Sequence, residues 1–247
     1  MHHGGVRPCR RTLAHRIRTT SVFVDRVVTP SHAGPLHEYH LRLGGHEWTI
    51  AHAGATLSDE DEQRYLSEER DKAPYGLALW PAAIALAHEL VSRAGDLAGR
   101  RVLELGSGTG LPGIVAATYG AHVVQSDRHD AALALGRSNA ERNGVRAIEH
   151  RLADWTAWTD TERYDLILGA DVLYAPRFHP SLRAIFDANL APDGRLLLTD
   201  PFRSASLELL EAMERDGWRV TLTKWKLGGD WGERAVGGYE CGRAPPY

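Results

Sequence analysis

The segment Arg101-Val-Leu-Glu-Leu-Gly-Ser-Gly-Thr-Gly-Leu-Pro-Gly113 constrains the fold of this chain most, because an apolar strand-like run ends in glycines and passes at once into a helix-forming stretch. Glycines let the backbone turn sharply and come close to a ligand, and a helix start presents free N–H groups at the positive end of its dipole. A nucleotide-like cofactor is the natural guest of such a loop, and a glycine turn without a ligand is the bland alternative. The pattern on either side repeats the unit. Strand-like runs recur at Arg101–Leu105, His122–Ser126, Arg146–Leu152, Asp165–Ala170, Arg195–Asp200, Trp218–Lys226 and Arg234–Cys241, with helical segments centred near Ile114, Ala134, Ile185 and Leu209. Alternating strands and helices predict a mostly parallel sheet covered on both faces. The last two strands are separated only by Leu227–Glu233, too short for a parallel crossover, so they form an antiparallel hairpin.

Upstream, Pro81 suits a first helical position, and Ala83, Ile84, Ala87, Leu90 and Val91 follow at helical spacing, which predicts an amphipathic helix ending near Gly95. Leu36–Leu43 and Trp48–Ala53 alternate around Gly44-Gly45 and read as a β-hairpin added to the main sheet. Ser58–Asp71 is acidic and reads as a solvated helix. Residues 1–24 hold five arginines and no carboxylate, a composition shared with transit peptides. An unstructured start is the preferred reading, so residues 1–30 are set apart as a basic segment, 31–72 as a hairpin and helix extension, and 73–247 as the ligand-binding domain.

Composition serves here mainly to exclude. No apolar run approaches the ~20 residues that span a bilayer, since even Leu77–Leu90 is interrupted by Pro81, His88 and Glu89. The two cysteines, Cys9 and Cys241, have no metal-ligand spacing. A net charge of −3 gives no reason to expect nucleic acid or an anionic membrane as partner. A soluble, cytoplasmic, monomeric protein is the expectation. Histidines crowd the hairpin (His32, His37, His40, His46, His52), but positions three apart on a strand face opposite sides, so no metal site is expected.

Gly108-x-Gly110-x-x-Gly113 satisfies the dinucleotide fingerprint literally. Its register does not, because the first glycine after the strand is Gly106, and Glu104 occupies the strand end. Asp127 ends the next strand 21 residues after Gly106, where a carboxylate can accept from ribose hydroxyls of either a nicotinamide dinucleotide or S-adenosylmethionine. The third strand ends in Asp154-Trp155, an acceptor and a flat aromatic suited to the amino group and face of adenine; a capping Asp154 and a core Trp155 are the structural alternatives.

On these residues the chain resembles a class I S-adenosylmethionine-dependent methyltransferase. Glu104-Leu-Gly-Ser-Gly-Thr-Gly110, Asp127 and Asp154-Trp155 match the superfamily's first three cofactor motifs. The seven strands with a terminal hairpin match its Rossmann-like sheet. Tyr75-Gly-Leu-Ala-Leu-Trp-Pro-Ala-Ala83 and Gly169-Ala-Asp-Val-Leu-Tyr174 resemble, within it, the seven-β-strand protein-lysine methyltransferases of the family-16 type. The resemblance implies that Trp80, Gly106, Ser107, Gly108, Asp127, Trp155 and Ala170 contact the cofactor, and that Asp171 and Tyr174, the D-x-x-Y pattern, face the transferred methyl. It implies a protein substrate with an accessible lysine. A small amine methylated as nicotinamide is, and a cofactor-binding module without catalysis, are the alternatives.

The fourth-strand end argues against two other methyltransferase classes. Ala-Asp-Val-Leu-Tyr stands where base-methylating enzymes carry Asn/Asp-Pro-Pro-aromatic, and for a metal-dependent catechol site only Asp200 offers itself beside Asp171. A sulfonium is already an activated electrophile, so the chain mainly needs to hold an unprotonated amine in line with it. In this reading Trp80 and Tyr174 form a partly desolvated mouth, the Asp171 charge attracts and orients the incoming ammonium, and Tyr174 packs on the amine or donates to Asp171.

Overall fold

The computed structural model describes residues 17–23, 36–55, 75–229 and 232–243. In chain order the elements are β1 (Ile17–Phe23), β2 (His37–Leu43), β3 (His46–His52), the two-residue β4 (Gly54–Ala55) and β5 (Ala78–Leu79), α1 (Pro81–Ser92), β6 (Arg101–Leu105), α2 (Leu111–Thr118), β7 (His122–Asp127), α3 (Asp130–Arg142), β8 (Ile148–Leu152), β9 (Tyr164–Ala170), α4 (His179–Asn189), β10 (Leu190–Asp200), α5 (Ser204–Arg215), β11 (Trp218–Gly229) and β12 (Gly232–Arg243). The main sheet has the order β1-β11-β12-β10-β9-β6-β7-β8. Strands β6 to β10 run parallel, and β12 is antiparallel to both β10 and β11, so the terminal hairpin stands where the short Leu227–Glu233 connection required it.

Period-two burial assigns the two faces of the sheet. Val102 and Leu197 point to one side, where they pack with Ile84, Leu86 and Leu90 of α1 and Ile114 and Val115 of α2. Leu103, Leu105, Leu196 and Leu198 point to the other, against Ile185 and Phe186 of α4 and Leu209 and Met213 of α5. Strand β6 lies between β7 and β9, so the chain leaves it in opposite directions. The carboxyl ends of β6 and β9 are therefore the switch point of the sheet, the place where open α/β sheets take ligands.

The N-terminal third departs from expectation in three ways. The sheet has eight strands rather than seven, the eighth being β1, parallel to β11 from Ile17↔Leu222 to Phe23↔Gly228. It comes from the arginine-rich start that was set outside the fold, where the β-branched Ile17, Thr19, Thr20 and Val22 carry the strand signal that the charge count hides. The β2–β3 hairpin does form, with Gly44 and Gly45 both at positive φ (59° and 79°), as a two-residue turn of the I′ kind requires. It is not an addition to the main sheet but a separate two-stranded sheet lying on helices.

Asn139 of α3 and Asn143, which caps its C-terminus one turn later, supply the ladder bonds that a further strand would have given to β3. Ala51 N donates to Asn139 Oδ1 (2.8 Å) and Asn139 Nδ2 to Ala51 O (3.0 Å), while Thr49 N and O make the same exchange with Asn143 at 2.8 Å each. The buried Trp48 donates its indole N–H to Thr118 Oγ1 (3.0 Å). Helix α1 packs on α2 and on β10 and β12 and shares an apolar cluster with Trp48 and Ile50 of the hairpin, so nine of its twelve residues are buried, and it is a core helix rather than the amphipathic one its spacing suggested. The expected acidic helix at Ser58–Asp71, with Cys9 and His32, lies outside the described residues.

Candidate functional site

The glycine loop is braced from beneath by buried polar groups. Glu104, on β6, accepts from Gly113 N (3.1 Å) and from Gln125 Nε2 (2.8 Å), and Gln125 Nε2 also reaches Gly110 O (2.8 Å). The first turn of α2 is thereby tied to two strands. Burial, the dominant influence, raises the Glu104 carboxyl to about 8, against the lowering effect of its two hydrogen bonds. Glu104 was expected among the cofactor contacts; in the structure it is buried and its Oε2 is given to the loop–helix junction. Gln125, which shares that task, is not marked in the sequence, because it stands beside Ser126 and Asp127 in a strand whose burial only the fold reveals.

Above this brace the loop is shaped for close approach. Gly106 and Gly108 have φ of 62° and 52°, a region that costs any residue with a Cβ. A Cβ on Gly106 would stand 3.2 Å from Trp155 Cζ2 and from Val172 Cγ1, and one on Gly108 would stand 3.0 Å from Gly76 O. Trp155, Val172 and the Tyr75–Leu77 turn are thus brought to the loop from three separate parts of the chain. Gly108 N donates to Asp127 Oδ2 (3.1 Å) and His129 N to Asp127 Oδ1 (3.0 Å), which fixes the carboxylate at the end of β7. Each carboxylate oxygen keeps a further lone pair for a hydroxyl. The buried Ser107 hydroxyl has no hydrogen-bond partner among the described residues.

Asp154 is exposed, and its Oδ1 caps the turn after it by accepting from Thr156 N (2.8 Å) and Thr156 Oγ1 (2.7 Å), bonds that hold its carboxyl below the ordinary range. Trp155 stands edge-on to Phe178, with centroids 5.5 Å apart, and Phe178 is edge-on to Tyr174 at 6.3 Å. Phe178, which the sequence reading passed over, so joins the aromatic wall between loop and acceptor side. Trp80 caps the N-terminus of α1 and donates its indole N–H to Tyr75 O (3.0 Å), tying it to the turn that lies over Gly108.

Ala170 ends β9 opposite Thr199, whose hydroxyl donates to Ala82 O (2.8 Å) and draws the start of α1 toward the ends of β9 and β10. The next residue departs from the sequence reading. Asp171 (φ 56°) was expected to attract and orient the incoming ammonium, with Tyr174 as a possible donor to it. In the structure both Asp171 oxygens are engaged by Arg203, Oδ1 by Nη1 and Oδ2 by Nη2 at 3.2 Å, a partner the sequence reading does not include. Tyr174 is 47% exposed, and its phenol is held above its ordinary pKa chiefly by partial burial, with Arg128 and Arg177 acting against that and Asp171 and Asp127 with it. It therefore keeps its proton at neutral pH. Arg203 also escaped the sequence reading, because nothing local marks an arginine three residues after Asp200 as a partner of Asp171.

A left-handed glycine loop, an unsatisfied buried hydroxyl, an anchored carboxylate and an aromatic wall together suit the nucleoside and methionine parts of S-adenosylmethionine. The profile of a family described as lysine methyltransferase matches residues 59–215. Histone-arginine methyltransferase METTL23 of Xenopus laevis is 33% identical over 177 residues, 68% of this chain and 72% of that one. Protein N-lysine methyltransferase METTL21A of Danio rerio is 35% identical over 140 residues, 54% of this chain and 64% of that one, so the chain spans less than two thirds of that relative. Among solved structures, a ribosomal protein L11 methylase from Lactobacillus delbrueckii subsp. bulgaricus superposes with a TM-score of 0.53 at 23% identity, covering 66% of this chain and 79% of its own. A DhpI–SAH complex gives 0.52 at 23% identity, over 74% of this chain and 93% of its own. At those identities the structures speak for the fold alone.

Proposed function

The chain belongs to the lysine methyltransferase family and is an S-adenosylmethionine-dependent methyltransferase, and from that premise we propose that its acceptor is the side-chain amine of a lysine in a protein. When bound, the cofactor supplies a methyl group already activated on a sulfonium. In this reading the backbone of Gly106 to Gly108, the Ser107 hydroxyl and Asp127 hold the nucleoside, with Asp154 and Trp155 at the adenine. Trp80 and Ala170 border the methionine end.

Asp171 and Tyr174 stand on the acceptor side, because the turn that carries them follows β9 and places Val172 against Gly106. An amine near pKa 10.4 must lose its proton before it can attack, and a mouth walled by Trp80, Tyr174 and Phe178 disfavours the charged form. Tyr174 keeps its own proton and is not the base, so the proton leaves to water. The observation that carries the lysine reading is the half-exposed Tyr174 beside the ion-paired Asp171 at the switch point, in a chain of this family.

The METTL23 relative favours a second reading, an arginine acceptor. A guanidinium substrate would want a carboxylate in the two-pronged geometry that Arg203 already occupies at Asp171. That contact supports lysine over arginine. The deciding measurement incubates the purified protein with radiolabelled S-adenosylmethionine and soluble lysate, separates protein from metabolites, and identifies the labelled residue after acid hydrolysis. Label in ε-N-methyllysine is expected; label in methylarginine, or in the small-molecule fraction as a nicotinamide-type activity would leave it, overturns the reading.

A further inference from the structure

Asp171 occupies the left-handed backbone region, which costs a residue with a Cβ even though aspartate tolerates it better than most, and its side chain is only 9% exposed. What keeps it there comes from the neighbouring strand. After β10 the chain turns through Phe202, also at positive φ (64°), so that Arg203 N donates to Asp200 Oδ1 (2.7 Å). Asp200 is fully buried and its other oxygen accepts from Ser206 Oγ (2.7 Å), which makes it a rigid post. Arg203 Nη1 lies 3.4 Å from that same oxygen, and the guanidinium fork extends from the post to both oxygens of Asp171. A planar fork on a carboxylate fixes its orientation as well as its charge.

We propose that Arg203 is a positioning residue for methyl transfer: anchored by Asp200, it holds Asp171 in the orientation that receives the acceptor amine and offsets the carboxylate's charge. An unpaired carboxylate beside the amine would stabilise the ammonium, which cannot attack; a carboxylate shared with Arg203 still orients the amine while favouring that form less. The inference rests on the reading of Asp171 as an acceptor-side residue, and its test keeps the two apart.

The experiment measures initial rates of ε-N-methyllysine formation on soluble lysate protein for the parent protein, Arg203→Ala, Arg203→Lys, Asp171→Asn and the Arg203→Ala/Asp171→Asn pair, with calorimetric affinity for S-adenosylhomocysteine alongside. Arg203→Ala lowers transfer at least tenfold, about 1.4 kcal/mol, while product affinity stays within about twofold. Millimolar guanidinium chloride restores part of the lost rate and the isosteric but uncharged urea does not, an outcome a merely structural role would not produce. Arg203→Lys, which keeps the charge without the fork, falls between the two. The double variant is no slower than Asp171→Asn, because Arg203 acts through Asp171. Additive losses, or rescue by urea as readily as by guanidinium, overturn the inference, as does an impaired Asp171→Asn beside an unimpaired Arg203→Ala. Parent-like transfer by Asp171→Asn overturns the acceptor-side reading and the inference with it, and a parent that forms no methyllysine overturns the lysine reading itself.

Discussion

The glycine loop after β6 and the Asp171–Tyr174 turn after β9 lie side by side at the carboxyl edge of one sheet, yet they are held by different means. The loop is fixed by backbone groups and buried side chains that satisfy one another: Glu104, Gln125 and Asp127 all bond to the segment Gly108–Gly113, and all come from β6 and β7. The turn carries its acid at positive φ and depends on an arginine 32 residues further along the chain to keep it in place. Its aromatic, Tyr174, is half exposed, whereas Glu104 and Asp127 are almost wholly covered. One half is a finished cradle for a ligand of unvarying shape. The other is an open mouth whose charges are set by side-chain reach, which suits an acceptor presented on another molecule.

The contrast is tested most severely at Asp127. Replacing it with alanine removes the acceptor of the Gly108 and His129 amides together with the proposed ribose contact. Affinity for S-adenosylhomocysteine is expected to fall at least ~100-fold, about 3 kcal/mol, by isothermal titration calorimetry. Affinity unchanged within about twofold would mean that the cradle is not where the cofactor lies.

Glu104 sharpens the same half from below. Because burial raises its folded carboxyl to about 8 from the ordinary glutamate value of about 4.5, the stability it contributes is complete below about pH 4.5 and is lost as pH rises through 8. Glu104→Gln keeps a carbonyl oxygen for Gly113 and Gln125 and carries no titration. Thermal melts from pH 5 to 9 should show the parent losing stability relative to the variant, on the order of 4 kcal/mol across that window. Parallel melting curves at every pH would show that the carboxyl is not strained by its burial.

The smallest effect is expected in the open half. No hydrogen bond joins the Tyr174 hydroxyl to Asp171 among the described contacts, and its ring packs on Phe178. Tyr174→Phe should therefore leave stability within about 0.5 kcal/mol and transfer within about threefold, whereas Tyr174→Ala loses the ring and a larger part of the rate. A tenfold loss in Tyr174→Phe, measured by the same methyllysine assay, would give the hydroxyl a role that this geometry does not.

Much of this molecule could be read before any coordinates. Hydrophobic period and turn chemistry are local properties, so the strands from Arg101 to Cys241, the glycine loop, the paired positive-φ glycines of the β2–β3 turn and the antiparallel terminal hairpin followed from residues within one element or its flanks. Asp127 was legible for the same reason, since its place is the end of a strand counted from a neighbouring motif. Where composition spoke louder than local pattern the reading went astray: the arginines before Phe23 concealed strand β1, and alternation in the hairpin did not reveal that its edge is closed by two asparagines of α3 instead of another strand.

The sequence alone therefore determined the elements from Arg101 to Cys241 and the ligand-bearing loop, because each is encoded by residues near one another along the chain, and resemblance to a family supplied the cofactor. Only the tertiary structure decided which side chains meet across long separations. Gln125 bonds Glu104 over 21 residues, Asn139 closes the hairpin over 88, and Arg203 claims Asp171 over 32. Such pairings depend on strand order, on the left-handed turns at Asp171 and Phe202, and on the reach of a guanidinium, none of which a local pattern records. For that reason Asp171, read from the sequence only as a charge that orients the acceptor, stands in the structure as one half of an ion pair.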